Sequence, residues 1–139
     1  MRTPFLIPAC FLIAIACFAG ETRSWPQAGG PNGDFIVSEA DAPREWSLAL
    51  DRNIVWQKDL PELGQSSVSV WEDKLFFTIN RPVLEDATLG RDIDVYCCDT
   101  ATGRTLWKRG IEGIYPVKIG TTFGDSSGVP PVTDGERVA

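Results

Sequence analysis

The chain contains no histidine at all and a single methionine, Met1. Without an imidazole it cannot build a Ser-His-Asp or Cys-His nucleophile system, and the common imidazole metal sites are excluded as well. Basic residues are scarce too. Thirteen Lys and Arg stand against nineteen Asp and Glu, a formal net charge of -6, and no basic run is longer than Lys108-Arg109. A surface that binds nucleic acid needs clustered cations, so no nucleic-acid partner is expected. No Gly-Lys-Ser/Thr sequence occurs, so the Gly-rich stretch from Gly120 to Gly128 is not read as a phosphate loop. No apolar run reaches the roughly 20 residues of a spanning helix.

What is present begins with a chemically distinct leader. Arg2 is the only charge in the first twenty residues, and Phe11 to Gly20 is an apolar run closed by small residues. That pattern reads as an export signal over residues 1–20, with the mature protein periplasmic or extracellular. Two processing routes fit the residues. Cleavage near Ala19 or Gly20 would release a soluble protein. Ala14-Ile15-Ala16-Cys17 loosely matches a lipobox, in which Cys17 would be lipidated, and only that route gives the protein a membrane partner.

Beyond the leader the pattern is that of short strands. Ser66 to Trp71, Leu75 to Ile79, Ile93 to Cys98 and Thr105 to Lys108 are rich in Val, Ile, Phe, Thr and Trp, and turn residues separate them. Glu72-Asp73-Lys74 makes one turn, and the polar stretch Asn80 to Asp92 an exposed loop. The most informative segment is Cys97-x-Asp99-x-x-Thr102-Gly103-x-x-x-Trp107. Asp99 is placed to accept backbone N–H groups across a tight connection, Thr102 can do the same, and Gly103 supplies the positive φ such a loop needs. Trp107 is an apolar anchor at the end of the following strand.

This segment resembles the tryptophan-docking repeat of the pyrroloquinoline quinone (PQQ) dehydrogenase-like β-propellers, with Cys97 where that family usually has Ala. Ser24 to Gly33, a turn-rich entrance with Trp25, is similar to the opening of exported bacterial members. The resemblance implies an all-β fold: a partial β-propeller of four-stranded antiparallel blades, one complete blade plus incomplete neighbours. The organisation expected is a leader over 1–20, an N-terminal cap and closing strand over 21–64, and the blade with the start of the next over 65–139. Trp107 is expected to dock on the turn from Asp99 to Gly103. Asn53 to Lys58 is read as the closing edge strand, with Trp56 in the place Trp107 holds in the repeat but without the upstream Asp and Thr-Gly. Val129 to Gly135 lines up with Ser67 to Asp73, a period of about 60 residues. A closed ring needs roughly four to eight blades, so the chain is read as the N-terminal piece of a longer protein or as a truncated gene product, and its open edges are expected to promote association.

Function is less legible than fold. Quinone dehydrogenases of this family carry PQQ with calcium, and some hold a vicinal disulfide beside the cofactor. Here Cys97 and Cys98 lie within a strand, where successive side chains point to opposite faces, and they are read as two small apolar residues. The carboxylates Asp92, Asp94, Asp125, Glu85 and Asp86 are read as solvated surface charges. No catalytic or metal residue is assigned, the cofactor-binding residues are unknown, and Cys97, Asp99, Thr102, Gly103 and Trp107 are read as a structural blade motif. No cofactor is expected in this chain, and PQQ with calcium only in a full-length dehydrogenase. The expected role is a non-catalytic binding or scaffold module whose partners are proteins or further blades. The alternative is the first part of a quinone-dependent alcohol or sugar dehydrogenase.

Overall fold

A computed structural model describes residues 24–37, 43–83, 89–118 and 125–139. Residues 1–20, read as a leader and containing Cys10 and Cys17, the Glu85-Asp86 pair and most of the Gly-rich loop lie outside the described residues. The described part is all-β, with no helix, and consists of antiparallel sheets. In chain order the strands are β1 (Ser24–Trp25), β2 (Ser69–Trp71), β3 (Lys74–Asn80), β4 (Leu89–Gly90), β5 (Ile93–Asp99), β6 (Thr105–Ile111) and β7 (Val117–Lys118). Five form the main sheet in the order β1-β2-β3-β5-β6, while β4 and β7 pair separately.

The centre of the sheet is the four-strand meander expected between residues 66 and 108. Each strand pairs with the next of the main sheet through a local connection, so the ladder needs no crossover. β2 starts three residues later than its composition suggests. Ser66 turns its hydroxyl to the neighbouring Ser67 carbonyl at 2.6 Å, a local bond of the kind by which serine competes with a ladder. β6 runs three residues further than expected, to Ile111.

Register assigns every side chain to a face. Phe76 and Thr78 lie opposite Cys97 and Val95, which in turn face Trp107 and Arg109; this is the first face. Leu75, Phe77 and Ile79 lie opposite Cys98, Tyr96 and Asp94 on the second. Ile79, Tyr96 and Cys98 form the buried cluster, with Leu75 and Phe77 against it. The rings of Phe77 and Tyr96 stack at 5.2 Å and 9°, an offset-stack distance for aromatic pairs.

The chain before and after the meander covers opposite faces. On the second face Trp56, Leu60 and Gly64 stand over Leu75, Phe77 and Ile79, leaving a cavity of about 490 Å³. On the first, Val129, Pro130 and Val138 stand over Val95 and Trp107. The Thr78 hydroxyl donates to the Ser127 carbonyl at 2.8 Å, and Gln65 N–H donates to the Ser127 hydroxyl at 2.9 Å.

One sequence expectation is corrected here. Asn53 to Lys58 is not a strand: its residues alternate between exposed and half-buried as a strand's would, yet no ladder is assigned to them. Asp51 and Asn53 both have left-handed backbone, φ 50 and 54, and the Ser47–Arg52 bridge closes a small loop. The chain therefore leaves that loop across the face of the sheet and not along its edge. The sheet edge on that side goes instead to the entrance segment, since Ser24 and Trp25 pair with Trp71 and Val70.

Candidate functional site: a turn capped by an indole

The connection between β5 and β6 is held by its own side chains. Asp99 Oδ1 accepts the Thr102 N–H at 2.8 Å and the Thr102 hydroxyl at 2.6 Å. Gly103 N–H donates to the Asp99 carbonyl at 2.9 Å, and Asp99 N–H to the Arg104 carbonyl at 2.9 Å. Thr100 N–H reaches the Asp73 carbonyl in the neighbouring turn at 2.9 Å. Gly103 sits at φ 69, where a side chain would be strained. The Thr102 hydroxyl, then the backbone N–H groups of Thr102 and Ala101, hold the Asp99 carboxyl below the usual carboxylate range.

The indole seated on this turn is Trp56, not Trp107. A Cβ placed at Gly103 would stand 2.5 Å from Trp56 Cε3, so the missing side chain is what lets the ring approach. Trp56 Nε1 donates to the Thr100 carbonyl at 2.7 Å, closing the seat with a polar bond. The expected docking of Trp107 is thus corrected, and register explains why. Trp107 pairs directly with Cys97 on the first face, where its ring lies 6.0 Å from that of Phe76 and it remains 41% exposed. Its neighbour Leu106 is the extra residue of a bulge, because Cys97 opposes Trp107 while Cys98 opposes Thr105. The glycine opens to the second face, where Trp56 crosses.

The same arrangement recurs twice, and sequence reading did not pair either ring with its glycine. Trp25 lies against Gly30, at φ 77, with its Nε1 donating to the Ala28 carbonyl at 3.2 Å. Trp71 covers Gly135, at φ 91. In that third turn Asp134 Oδ1 accepts the N–H groups of Arg137 at 2.7 Å and Glu136 at 3.0 Å, and these lower its pKa. A left-handed glycine in a turn exposes a flat backbone patch, and each of these three patches is covered by an indole. The signal was the glycine itself; what could not be read was which tryptophan would reach it.

The carboxylates are more engaged than expected. Asp94 is only 3% exposed and binds Arg81 Nε at 3.2 Å and Lys108 Nζ at 3.1 Å. Asp92 binds Arg81 Nη1 at 2.9 Å and accepts the Gly113 N–H at 3.1 Å. Asp94 falls on the second face beside Tyr96, and Gly110 opposite it leaves room for the Arg81 guanidinium, which a Cβ there would overlap. Asp125 accepts bonds from Asn80 and Ser127, at 2.8 and 2.6 Å, and ties its loop to β3. Solvated surface charge is therefore the wrong description of Asp94, since alternation along β5 turned it inward.

Cys97 and Cys98 are free thiols, both fully buried and on opposite faces. Burial, then the neighbouring Cys98, pushes the Cys97 thiol up. Among the described residues no three acidic or thiol side chains converge as a metal would require, and Asp92 and Asp94 are already committed to cations. No chemical step is assigned to the described residues. Comparisons with known protein families, with curated proteins and with solved structures find no match to this chain.

Proposed function

We propose that this is an exported repeat protein of the PQQ dehydrogenase-like propeller class, that its four-strand meander is one blade, and that it serves as a non-catalytic binding or scaffold module. The observation that carries this reading is the seat of Trp56. An indole arriving from the preceding stretch of chain, capping the Asp99-x-x-Thr102-Gly103 turn and bonding its backbone, locks one sheet to the chain beside it. A blade array is built from such locks. Segments from before and after the meander lying on its two faces fit the same stacking. The role as a module rests on the residues left over: the carboxylates of the sheet are occupied by structural pairs, and the surfaces it offers are apolar faces and a strand edge.

Titrating the full chain with PQQ and Ca²⁺ while following the cofactor's absorbance tests the non-catalytic part. No saturable change is expected. Saturable binding at micromolar concentration would overturn it in favour of the dehydrogenase.

A further inference from the structure

β6 is the last strand of the main sheet, so among the described residues only one of its sides is hydrogen-bonded. It is seven residues long and every residue after Thr105 is exposed. At the other end of the sheet the outer strand, β1, has two residues, and the chain just after it is occupied, because Thr133 N–H donates to the Pro26 carbonyl at 2.9 Å. Among the described residues β6 is therefore the one long open edge. Alternate N–H and C=O groups along such an edge are a template for another strand.

Its charge says what that strand should be. The chain as a whole is at -6, yet β6 contains Lys108 and Arg109, no acidic residue, and follows directly on Arg104. Lys108 is paired with Asp94 across the sheet. Arg109 makes no ion pair among the described residues, and it stands on the first face between Trp107 and Ile111, themselves 41% and 49% exposed. A second copy is a poor occupant. Antiparallel self-pairing centred on Lys108 sets like charge against like charge directly across the ladder, which is destabilising. The same cations that keep copies apart favour an acidic neighbour.

We infer that the outer edge of β6 is a docking site for an extended acidic segment of a protein partner, added as a further antiparallel strand with a carboxylate opposite Arg109 and apolar side chains two residues to either side, against Trp107 and Ile111. Backbone bonds supply the attachment, and the apolar-cation-apolar row selects the sequence. The inference rests on the reading of the protein as a binding module but not on how many blades accompany this one, because the edge belongs to the meander itself.

The test uses the full chain and synthetic peptides with the core Val-Thr-Glu-Thr-Val, its counterpart with Lys in place of Glu, and two versions of the acidic peptide N-methylated on alternate amides of one edge or the other. Fluorescence anisotropy should show the acidic peptide binding more tightly than the basic one. One methylated version should lose binding while the other keeps it, since only one peptide edge faces β6. Arg109→Glu should weaken the acidic peptide roughly tenfold, the size expected for turning a favourable cross-strand charge pair into a repulsive one, and should improve the basic peptide. Equal binding of acidic and basic peptides, or indifference to both methylation patterns, would overturn the site. So would concentration-dependent dimers of the natural chain whose affinity Arg109→Glu changes, since they would make a second copy the occupant. A peptide that fails to bind while the quinone titration stays silent also removes the β6 site, and it leaves the module reading standing.

Discussion

Gly103 and Trp56 make one unit although they are far apart in sequence: a residue with no side chain creates a flat seat, and a large ring with one N–H fills it. Replacing Trp56 by Ala removes most of the ring's contact and orphans the Thr100 carbonyl, and should cost about 2 to 4 kcal/mol in urea unfolding, below the range for a fully buried tryptophan because this one is only half-buried. Trp107→Ala should cost less, about 1 to 2 kcal/mol, as that ring keeps 41% of its surface in water. An order opposite to this would mean that Trp107, not Trp56, holds the turn. Asp99 makes a second test through pH. Its folded carboxyl is held below its ordinary value, so the folded state takes up a proton less readily than the unfolded chain. The stability it contributes is present at neutral pH and is lost as pH falls below about 4 and through the lowered folded value. Asp134 has the same sign. The difference in urea midpoint between the natural chain and Asp99→Asn should therefore shrink as pH is lowered from 6 to 3; a constant difference would sink the assignment.

Strand by strand, the meander was legible because local composition and local pairing agree: each run of β-branched and aromatic residues meets the next through a short turn or loop. Asp99, Thr102 and Gly103 were legible for the same reason, since an Asx-type turn is written in adjacent residues. The partner of the turn was not. Trp56 and Gly103 are joined only after the chain crosses the sheet, and the left-handed residues Asp51 and Asn53 that steer it carry no propensity that marks the crossing. Asp94 escaped for another reason: strand alternation places it inward, but its two cations come from Arg81 on one side and Lys108 on the other. Asp94→Ala would strand both and should destabilise by about 1 to 3 kcal/mol, less than for a fully buried pair because the cations are partly solvated. Lys108→Ala should cost below about 1 kcal/mol. Equal effects of the two substitutions would show that Asp94 is not the centre of the cluster.

For the whole molecule, the expectation of export can be read from the mature N-terminus. Mass spectrometry of the protein recovered from the cell envelope or medium should find a chain starting near Glu21, or at a lipidated Cys17; an intact Met1 there would remove the export reading. Two buried thiols report on how the molecule opens. Cys98 lies on the face crossed by Trp56 and Leu60, and Cys97 on the face crossed by the residues that follow Asp125, so a different stretch of chain lies over each thiol's face. A thiol reagent is expected to reach Cys98 when the leading stretch lifts and Cys97 when the trailing stretch does. Their labelling rates are two separate clocks in one strand. If the covering stretches detach independently, mild urea will accelerate one clock before the other, and if the molecule opens in a single step the two will keep the same time at every concentration of denaturant.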